Sequence, residues 1–262
     1  MLPIYTNMKI FLPFYYLFYS RLRSNISKVA WIFTYIIPIF IVSYLLNIDF
    51  IFTSFLIFSI YFTYEIGYIY NDCEVIKKEI NPTLRLKKED LQYYENHKLI
   101  IYSIRILFLS IIMGIIYISY PYYVKPIFYT LGGISLLYII HNNIRNHWNI
   151  LSYSLLIFFR YFAFFSFIEE NILFCFLLWI VYPLCVTIEF SSKSRFYTSN
   201  YIKITNFDRF RVFYYILLVS ISIPLYITIF NKYTIIFLIL SLYFALYRLL
   251  SFFLIAKKYR NT

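Results

Sequence analysis

The chain has 262 residues, of which 62% are hydrophobic, 24% aromatic and only 14% charged. A soluble domain has roughly 45–50% apolar and about 25% charged residues, so this composition excludes a water-soluble fold and predicts an integral membrane protein. The net charge of +12 fits the excess of lysine and arginine that membrane proteins carry in their cytoplasmic loops. Because no basic segment stands apart from an apolar run, we expect no nucleic-acid partner.

The apolar runs are long and continuous, without the alternation of a barrel strand. They predict an all-α, polytopic transmembrane helical bundle of about eight spans, each long enough to cross the hydrocarbon layer. In chain order the predicted spans are 29–46, 50–70, 99–119, 123–140, 150–168, 172–188, 212–230 and 234–256. Without a repeat or a linker, the chain is predicted to form a single membrane domain, 1–262.

Local features refine this outline. The aromatic stretch 10–20 precedes two arginines and predicts an interfacial helix that lies on the membrane. Pro38, Pro183 and Pro224 fall inside predicted spans, where proline typically kinks a helix.

Lysine and arginine are distributed very unequally along this topology. Of the 24, 19 lie on one side, in the N-terminal segment 1–28, the loops 71–98 and 189–211, the short loop after span 4 and the C-terminal tail. Only Lys125 and Lys232 lie in loops on the other side. This bias predicts that both termini of the multi-pass protein are cytoplasmic. The composition favours a prokaryotic cytoplasmic membrane. The two long loops then concentrate polar chemistry at the cytoplasmic face.

The first candidate site follows the second span. Asn71 and Asp72 stand where the span ends, and Asp72 and Glu79 are seven residues apart, so a continued helix would place them on one face. Carboxylates beside an amide oxygen suit Mg²⁺, while Lys77 and Arg85 would hold phosphate groups. The alternative is a solvated loop whose charges only set the topology.

Further polar residues follow spans 4 and 6. Glu189 ends an apolar run and would either pair with Lys193 one helical turn away or help to hold a metal ion. The loop after span 4 is rich in amides, and its two histidines, His141 and His147, have no acidic neighbour, so a metal pair is not expected there.

Four ionisable residues lie inside predicted spans: Glu65, Arg105, Arg160 and Arg248. Such residues usually face a bundle interior or a cavity. We expect Arg105 and Arg248 to extend towards the membrane surface, and Glu65 either to enlarge the polar site or to pair with an arginine.

Asn71-Asp72, the acids that follow, Asn81-Pro82 and Arg85 together resemble the first motif of the UbiA superfamily of membrane prenyltransferases. Glu189 stands where that family has its second acidic motif. Two departures are clear: Val75 occupies the place of the family's second aspartate unless a one-residue deletion brings Glu74 there, and Lys193 replaces an acid of the second motif.

The resemblance implies a function and a set of site residues. It implies a transferase that moves a prenyl group from a prenyl diphosphate, or a phosphosugar onto a polyprenyl phosphate, with an isoprenoid lipid as substrate and membrane lipid around it. Metal ligands to Mg²⁺ would be Asn71, Asp72, Glu74 or Glu79, and Glu189. The implied catalytic residues are Asp72, Glu79 and Glu189; the implied substrate-binding residues are Asn71, Lys77, Arg85, Tyr138, Asn142, Arg145, Lys193 and Arg195.

Non-enzymatic functions are alternatives to the transferase. The changed acidic motifs suit a UbiA fold that only binds lipid, and a multi-pass helical protein would also suit a transporter or a component of a lipid-linked polysaccharide pathway. The chain has only 4 glycines, which argues against the closely packed, broken helices common in transporters.

Overall fold

A computed structural model describes residues 8–78, 82–144 and 146–256 of the chain. The described residues are largely helical, with no strand among them. The helices are α1 Met8–Phe11, α2 Tyr15–Ser20, α3 Asn25–Leu45, α4 Phe50–Cys73, α5 Lys88–Ser119, α6 Val124–Asn143, α7 Trp148–Tyr161, α8 Ala163–Glu169, α9 Ile172–Ser191, α10 Phe207–Thr228 and α11 Lys232–Ser251.

Seven of these helices are long and apolar enough to cross a membrane, and α7 and α8 together would make an eighth span. The predicted all-helical, multi-pass membrane fold is confirmed. The predicted span 150–168 is broken, because α7 and α8 meet at Phe162 with a bend of 68°. Helix α8 ends at Glu169, and the C-cap residue Glu170 has a left-handed backbone (φ 47°) and donates its N–H to the carbonyl oxygen of Ser166.

Proline shapes two other spans. A π-helical turn, Ile32–Ile36, lies directly before Pro38 in α3, and a second, Ile180–Leu184, contains Pro183 in α9. A proline cannot donate the usual backbone hydrogen bond, and widening the helix by one residue is a common way to accommodate such a break.

The helices fall into two compact units. Unit 1 holds the described residues of Met1–Ile36 and Ile48–Asn143, and unit 2 holds those of Ile37–Asn47 and Ile144–Thr262. In unit 1, α4 packs against both α5 and α6 and is the most buried of the membrane helices. The core beside its C-terminal end includes Tyr16, Ile69, Cys73, Tyr94 and Ile101.

The N-terminal segment is part of this packing. The predicted interfacial helix 10–20 is instead two short helices, α1 and α2, in which Ile10, Tyr16 and Leu17 are buried within the protein. The turn between them passes through Phe14, which has a left-handed backbone and stacks on Tyr61 of α4 at 5.2 Å between ring centroids. An apolar stretch in the sequence does not distinguish contact with lipid from contact with other helices.

A buried ion pair explains why this segment folds inward. Arg105 of α5 and Glu65 of α4 are 2.8 Å apart and have no exposed side-chain surface. Arg105 also donates two hydrogen bonds to the carbonyl oxygen of Ile10, and Glu65 accepts one from the backbone N–H of Leu17. Of the two alternatives for Glu65, pairing with an arginine is therefore the one observed, and the prediction that Arg105 reaches the membrane surface is wrong.

The loops are shorter than the sequence indicates. Residues 88–98 of the predicted loop 71–98 form the first turns of α5, which starts where Asp90 accepts a hydrogen bond from the backbone N–H of Lys87. On the other predicted loop, α9 continues to Ser191 and α10 begins after Asn206, whose side chain caps it. Hydropathy marks only the apolar part of a helix, so polar end turns are missed.

Unit 2 is built around the antiparallel pair α10 and α11. Tyr215 of α10 stacks on Phe244 of α11 with ring centroids 5.1 Å apart, and Tyr182 of α9 stacks on the same ring. Asn231 caps the start of α11 through two backbone N–H groups. The two remaining in-span arginines lie beside neighbouring rings, Arg160 near Tyr161 and Arg248 near Tyr247.

Candidate functional site

The Asp72 carboxylate is the centre of the candidate site in unit 1. It lies in the last turn of α4 and is only 2% exposed. Arg21 donates to both of its oxygens, at 2.7 and 2.9 Å, and Arg85 donates to one at 3.1 Å. The hydroxyl of Tyr16 donates to the other at 2.8 Å. We call these four residues the Asp72 cluster.

The cluster is an electrostatic unit held between two chain segments. Burial of Arg21 disfavours its charged form, but the Asp72 carboxylate and the neighbouring tyrosines together outweigh this and raise the pKa of Arg21 above its ordinary value. Burial, with the same carboxylate beside it, also raises the pKa of Tyr16 far above its usual range, so its hydroxyl stays a proton donor. The carboxylate thus fixes α2 and the segment around Arg85 to the end of α4.

Glu74 belongs to a different set of contacts. Its carboxylate accepts hydrogen bonds from Lys77 at 2.8 Å, from the Tyr94 hydroxyl at 2.9 Å and from Lys98. Lys77 also pairs with Glu95. Glu74, the predicted metal ligand, and Lys77, the predicted phosphate-binding residue, therefore form an ion pair with each other.

These contacts do not fit the predicted magnesium site. An ionised carboxylate offers about four lone-pair positions, and Asp72 receives donors from Tyr16, Arg21, Arg85 and, at 3.3 Å, Asn71. Among the described residues no three acidic, histidine or cysteine side chains come together as a metal site would need. Magnesium binding stays a prediction.

A cavity of about 490 Å³ lies beside the Asp72 cluster. Arg23, Arg85 and Lys87 supply three positive charges to its wall, while Tyr19 supplies a hydroxyl. The full lining is Phe18, Tyr19, Arg23, Leu84, Arg85, Leu86 and Lys87. This basic cavity has the lining expected of a site for an anionic group.

The walls of the basic cavity are fixed by local contacts. Arg23 donates to the backbone carbonyl of Arg85 at 2.6 Å, which joins the two segments. The Tyr19 hydroxyl donates to Asp90 at 2.7 Å. Burial, and then this hydrogen bond, raises the pKa of Tyr19 to about 12. Asp72 and Asp90 hold the wall in place but are not themselves part of the lining.

A second cavity, of about 280 Å³ and mostly apolar, lies among α4, α5 and α6. Its lining residues are Thr63, Ile66, Gly67, Tyr70, Tyr102, Ser135, Tyr138, Ile139, Asn142 and Asn143. Two residues that the sequence predicted to bind substrate, Tyr138 and Asn142, are therefore brought together here. Gly67 permits this packing, because a Cβ atom at that position would lie 2.5 Å from the Tyr138 ring.

Aromatic rings connect the Asp72 cluster with this apolar cavity. The guanidinium of Arg21 lies over the ring of Tyr68, 4.3 Å from its centroid, and Tyr68 contacts Tyr138 with ring centroids 6.2 Å apart. The positive charge of the cluster is thus one aromatic ring away from the cavity wall.

Unit 2 contains the remaining predicted site residues that the structure describes. Glu189 at the end of α9 forms a two-point pair with Arg211 of α10, at 2.5 and 2.6 Å. Lys193 and Arg195 lie over the ring of Phe190 at 4.8 and 4.7 Å. The partner observed for Glu189 is an arginine on the next helix, and both of its oxygens are engaged.

Sequence reasoning found Asp72, Asn71 and Arg85 but missed the N-terminal residues that complete the site. Glu79 and Arg145, predicted to be catalytic and substrate-binding, lie outside the described residues. Tyr16 and Tyr19 are three apart on one helical face, directly before Arg21. In the sequence, tyrosines followed by arginines were the only sign of these site residues. The residue that Tyr16 and Arg21 bind, Asp72, is more than 50 residues further along the chain.

Fold and site together define an all-helical, multi-pass membrane protein with a basic cavity and an apolar cavity in unit 1. Comparisons with protein-family models, with curated proteins and with solved structures find no match for this chain.

Proposed function

We propose that this protein is a membrane transferase of the UbiA type that binds a phosphorylated polyprenyl lipid in unit 1 and transfers a group at its phosphate end. One observation supports this above all: the Asp72 cluster contributes Arg85 to the lining of the basic cavity and is joined to the apolar cavity through the rings of Tyr68 and Tyr138. A phosphorylated isoprenoid has an anionic end and an apolar chain, and it needs both kinds of surface close together.

The chemistry assigns a part to each cavity. Arg23, Arg85 and Lys87 would neutralise the phosphate groups, with Arg85 held in place by Asp72. The apolar cavity would take isoprenoid carbons next to the phosphate, against Tyr70, Tyr102 and other aromatic rings. Aromatic faces stabilise a neighbouring carbocation, which suits an allylic group that is losing its diphosphate.

In the prenyl reaction, the bond between the allylic carbon and the diphosphate oxygen breaks, and pyrophosphate leaves with the bonding electrons. The acceptor forms a new bond to that carbon and loses a proton. In the alternative reaction a polyprenyl phosphate oxygen attacks the sugar carbon of a phosphosugar diphosphate, and pyrophosphate again leaves. Preorganised cations stabilise the negative charge on the leaving group in both cases.

The orientation follows from the charge bias. Most of the lysine and arginine residues fall on the side of the Asp72 cluster, which supports a cytoplasmic position for the basic cavity. Phosphorylated substrates made in the cytosol would then reach the cavity from water, and the lipid chain would enter from the membrane.

The test is pyrophosphate release by the purified full-length protein in detergent. The donors are a panel of prenyl diphosphates, and phosphoribosyl diphosphate supplied with polyprenyl phosphate, each with and without Mg²⁺. We expect release with one donor class, and its loss in Asp72→Asn. The matched control is Asp49→Asn, which changes an exposed aspartate of the same unit. Undiminished release by folded Asp72→Asn would contradict the site assignment.

Lipid binding without transfer is the second candidate, and a specific observation favours it. Both described carboxylates of the first motif, Asp72 and Glu74, are already neutralised by cations. Mass spectrometry of lipids that copurify with the protein separates the two candidates. A retained polyprenyl phosphate with no release from any donor would establish the binding protein, and absence of both would contradict both candidates.

A further inference from the structure

Among the described residues of this site, the carboxylates Asp72 and Glu74 are occupied by protein donors, while the cations Arg23, Arg85 and Lys87 face a cavity. Asp72 is enclosed by Arg21, Arg85 and Tyr16. A divalent ion that used Asp72 as a ligand would have to displace at least one guanidinium from it, and the displaced arginine would lose its buried partner, which is costly. Metal binding and the observed ion pairs therefore exclude each other.

The cations of the basic cavity offer what a phosphate needs without a metal. A guanidinium has five N–H donors. Arg85 uses one of its donors for the Asp72 carboxylate, and Arg23 uses one of its own for the backbone carbonyl of Arg85. The side chain of Arg85 is 31% exposed, so it contacts both the buried carboxylate and the cavity. Lys87 is exposed at the same wall and adds a compact charge.

The charge balance supports an anion as the occupant. Four cations, Arg21, Arg23, Arg85 and Lys87, lie in this region, against three carboxylates, Asp72, Glu89 and Asp90. None of the three carboxylates lines the cavity, whereas three of the four cations do. The cavity is therefore positive on its open side, and the excess charge would be neutralised by a phosphate or diphosphate group.

We infer that this protein binds the phosphate end of its ligand without a divalent metal ion, in the basic cavity formed by Arg23, Arg85 and Lys87. The inference rests on the proposed function for the identity of the ligand, but it makes a separate claim about how the phosphate is held. Asp72 serves to hold Arg21 and Arg85 in position. The ligand class is a phosphomonoester or diphosphate with an apolar substituent.

The experiment is titration of inorganic pyrophosphate into the full-length protein in detergent, once with EDTA and once with excess MgCl₂. We expect saturable binding in EDTA. Arg23→Ala and Lys87→Ala should each weaken the affinity by about tenfold, the loss of one charge-assisted contact. Lys88→Ala is the matched control, because Lys88 is an equally exposed neighbour that does not line the cavity. Both test residues are exposed, so their replacement leaves the core intact.

The outcomes separate this inference from the proposed function. Pyrophosphate binding that appears only with MgCl₂ would overturn the metal-free site and leave the transferase standing. Binding in EDTA that neither Arg23→Ala nor Lys87→Ala weakens would overturn the location. Absence of binding under both conditions would overturn the inference, and pyrophosphate release from the donor panel would then decide the proposed function by itself.

Discussion

Arg105 and Glu65 form an ion pair, 2.8 Å long, in which neither side chain has any exposed surface. The same two side chains bind the backbone of the N-terminal segment at Ile10 and Leu17. The pair therefore joins α4, α5 and the segment that carries Arg21 and Arg23. It places the N-terminal arginines beside Asp72 without contributing to either cavity itself.

Removing one partner of this pair should be strongly destabilising. We expect Arg105→Met to lower the free energy of unfolding by about 3–5 kcal/mol, because Glu65 is left as an unpaired buried charge. Thermal unfolding in detergent measures the effect. Lys98→Met on the same helix is the control, and its partly exposed pair with Glu74 should be worth about 1 kcal/mol or less.

The double variant Glu65→Leu with Arg105→Met provides a sharper check. It removes both charges together, so it should be less destabilised than Arg105→Met alone. If the loss of unfolding free energy in the double variant equalled the sum of the losses in Glu65→Leu and Arg105→Met, the two side chains would not be coupled. That result would contradict the buried ion pair.

Gly67→Ala should disturb the apolar cavity. The new methyl group would lie 2.5 Å from the Tyr138 ring, and overpacking of this kind costs about 1–3 kcal/mol. Gly132→Ala is the control, since nothing lies within 4 Å of a Cβ atom there and alanine improves helix propensity by up to about 1 kcal/mol. Thermal unfolding of the two variants should therefore shift in opposite directions. Adding Tyr138→Leu to Gly67→Ala should recover part of the loss.

The two-point pair between Arg211 and Glu189 predicts that charge alone is insufficient at this position. Arg211→Lys keeps the charge but loses the planar fork, and we expect a loss of about 1 kcal/mol in unfolding free energy. Arg209→Lys, an exposed change in the same first turns of α10, should stay within about 0.5 kcal/mol of the parent. Equal stability of Arg211→Lys and Arg209→Lys would contradict the two-point pair between Arg211 and Glu189.

The N-cap of α4 should weaken in acid. The backbone N–H of Phe52, and then the Tyr120 hydroxyl, lower the pKa of Asp49 below its usual value. Because its pKa is lowered, the ionised Asp49 side chain stabilises the start of α4 at pH values above the usual aspartate pKa. This stabilisation is lost as the pH falls through the lower pKa that Asp49 has in the folded protein. Hydrogen exchange at Phe52 and Thr53, corrected for intrinsic rates, should therefore accelerate below that range.

Asp49→Asn is the matched variant for this pH effect. An asparagine amide accepts the same capping hydrogen bond but does not titrate in this range. The variant should therefore show a helix start whose exchange no longer depends on pH in the acid region. The same acid response in Asp49→Asn would assign the effect to another group.

The sequence predicted the helices well because the signal for a membrane span is local. Runs of about 20 apolar residues suffice to identify a span, since every backbone polar group in lipid must be satisfied within its own helix. Seven of the eight predicted spans correspond to single helices, and the break at Phe162 was missed. Polar end turns, such as 88–98 of α5, were also missed because hydropathy does not register them.

The partners of charged side chains depend on packing, and here the sequence by itself was insufficient. It singled out Glu65 and Arg105 because ionisable groups inside a span are costly beside lipid, and Asp72 because a carboxylate beside an amide suits a metal ion. It could not name Arg21 and Tyr16 as partners of Asp72, since these lie 51 and 56 residues away. For Glu189 it offered Lys193 or a metal ion as the partner, and it did not identify Arg211 on the next helix.

The amino-acid sequence alone thus determined that this is a multi-pass helical membrane protein with its ionisable groups concentrated near a few helix ends, because hydrophobic burial in lipid is decided residue by residue. Only the tertiary structure decided that the N-terminal segment packs inward, that arginines neutralise Asp72, and that aromatic rings join this cluster to an apolar cavity. Those outcomes depend on which helices become neighbours, and the satisfaction of buried charge is a property of the packed set of helices and not of any one segment.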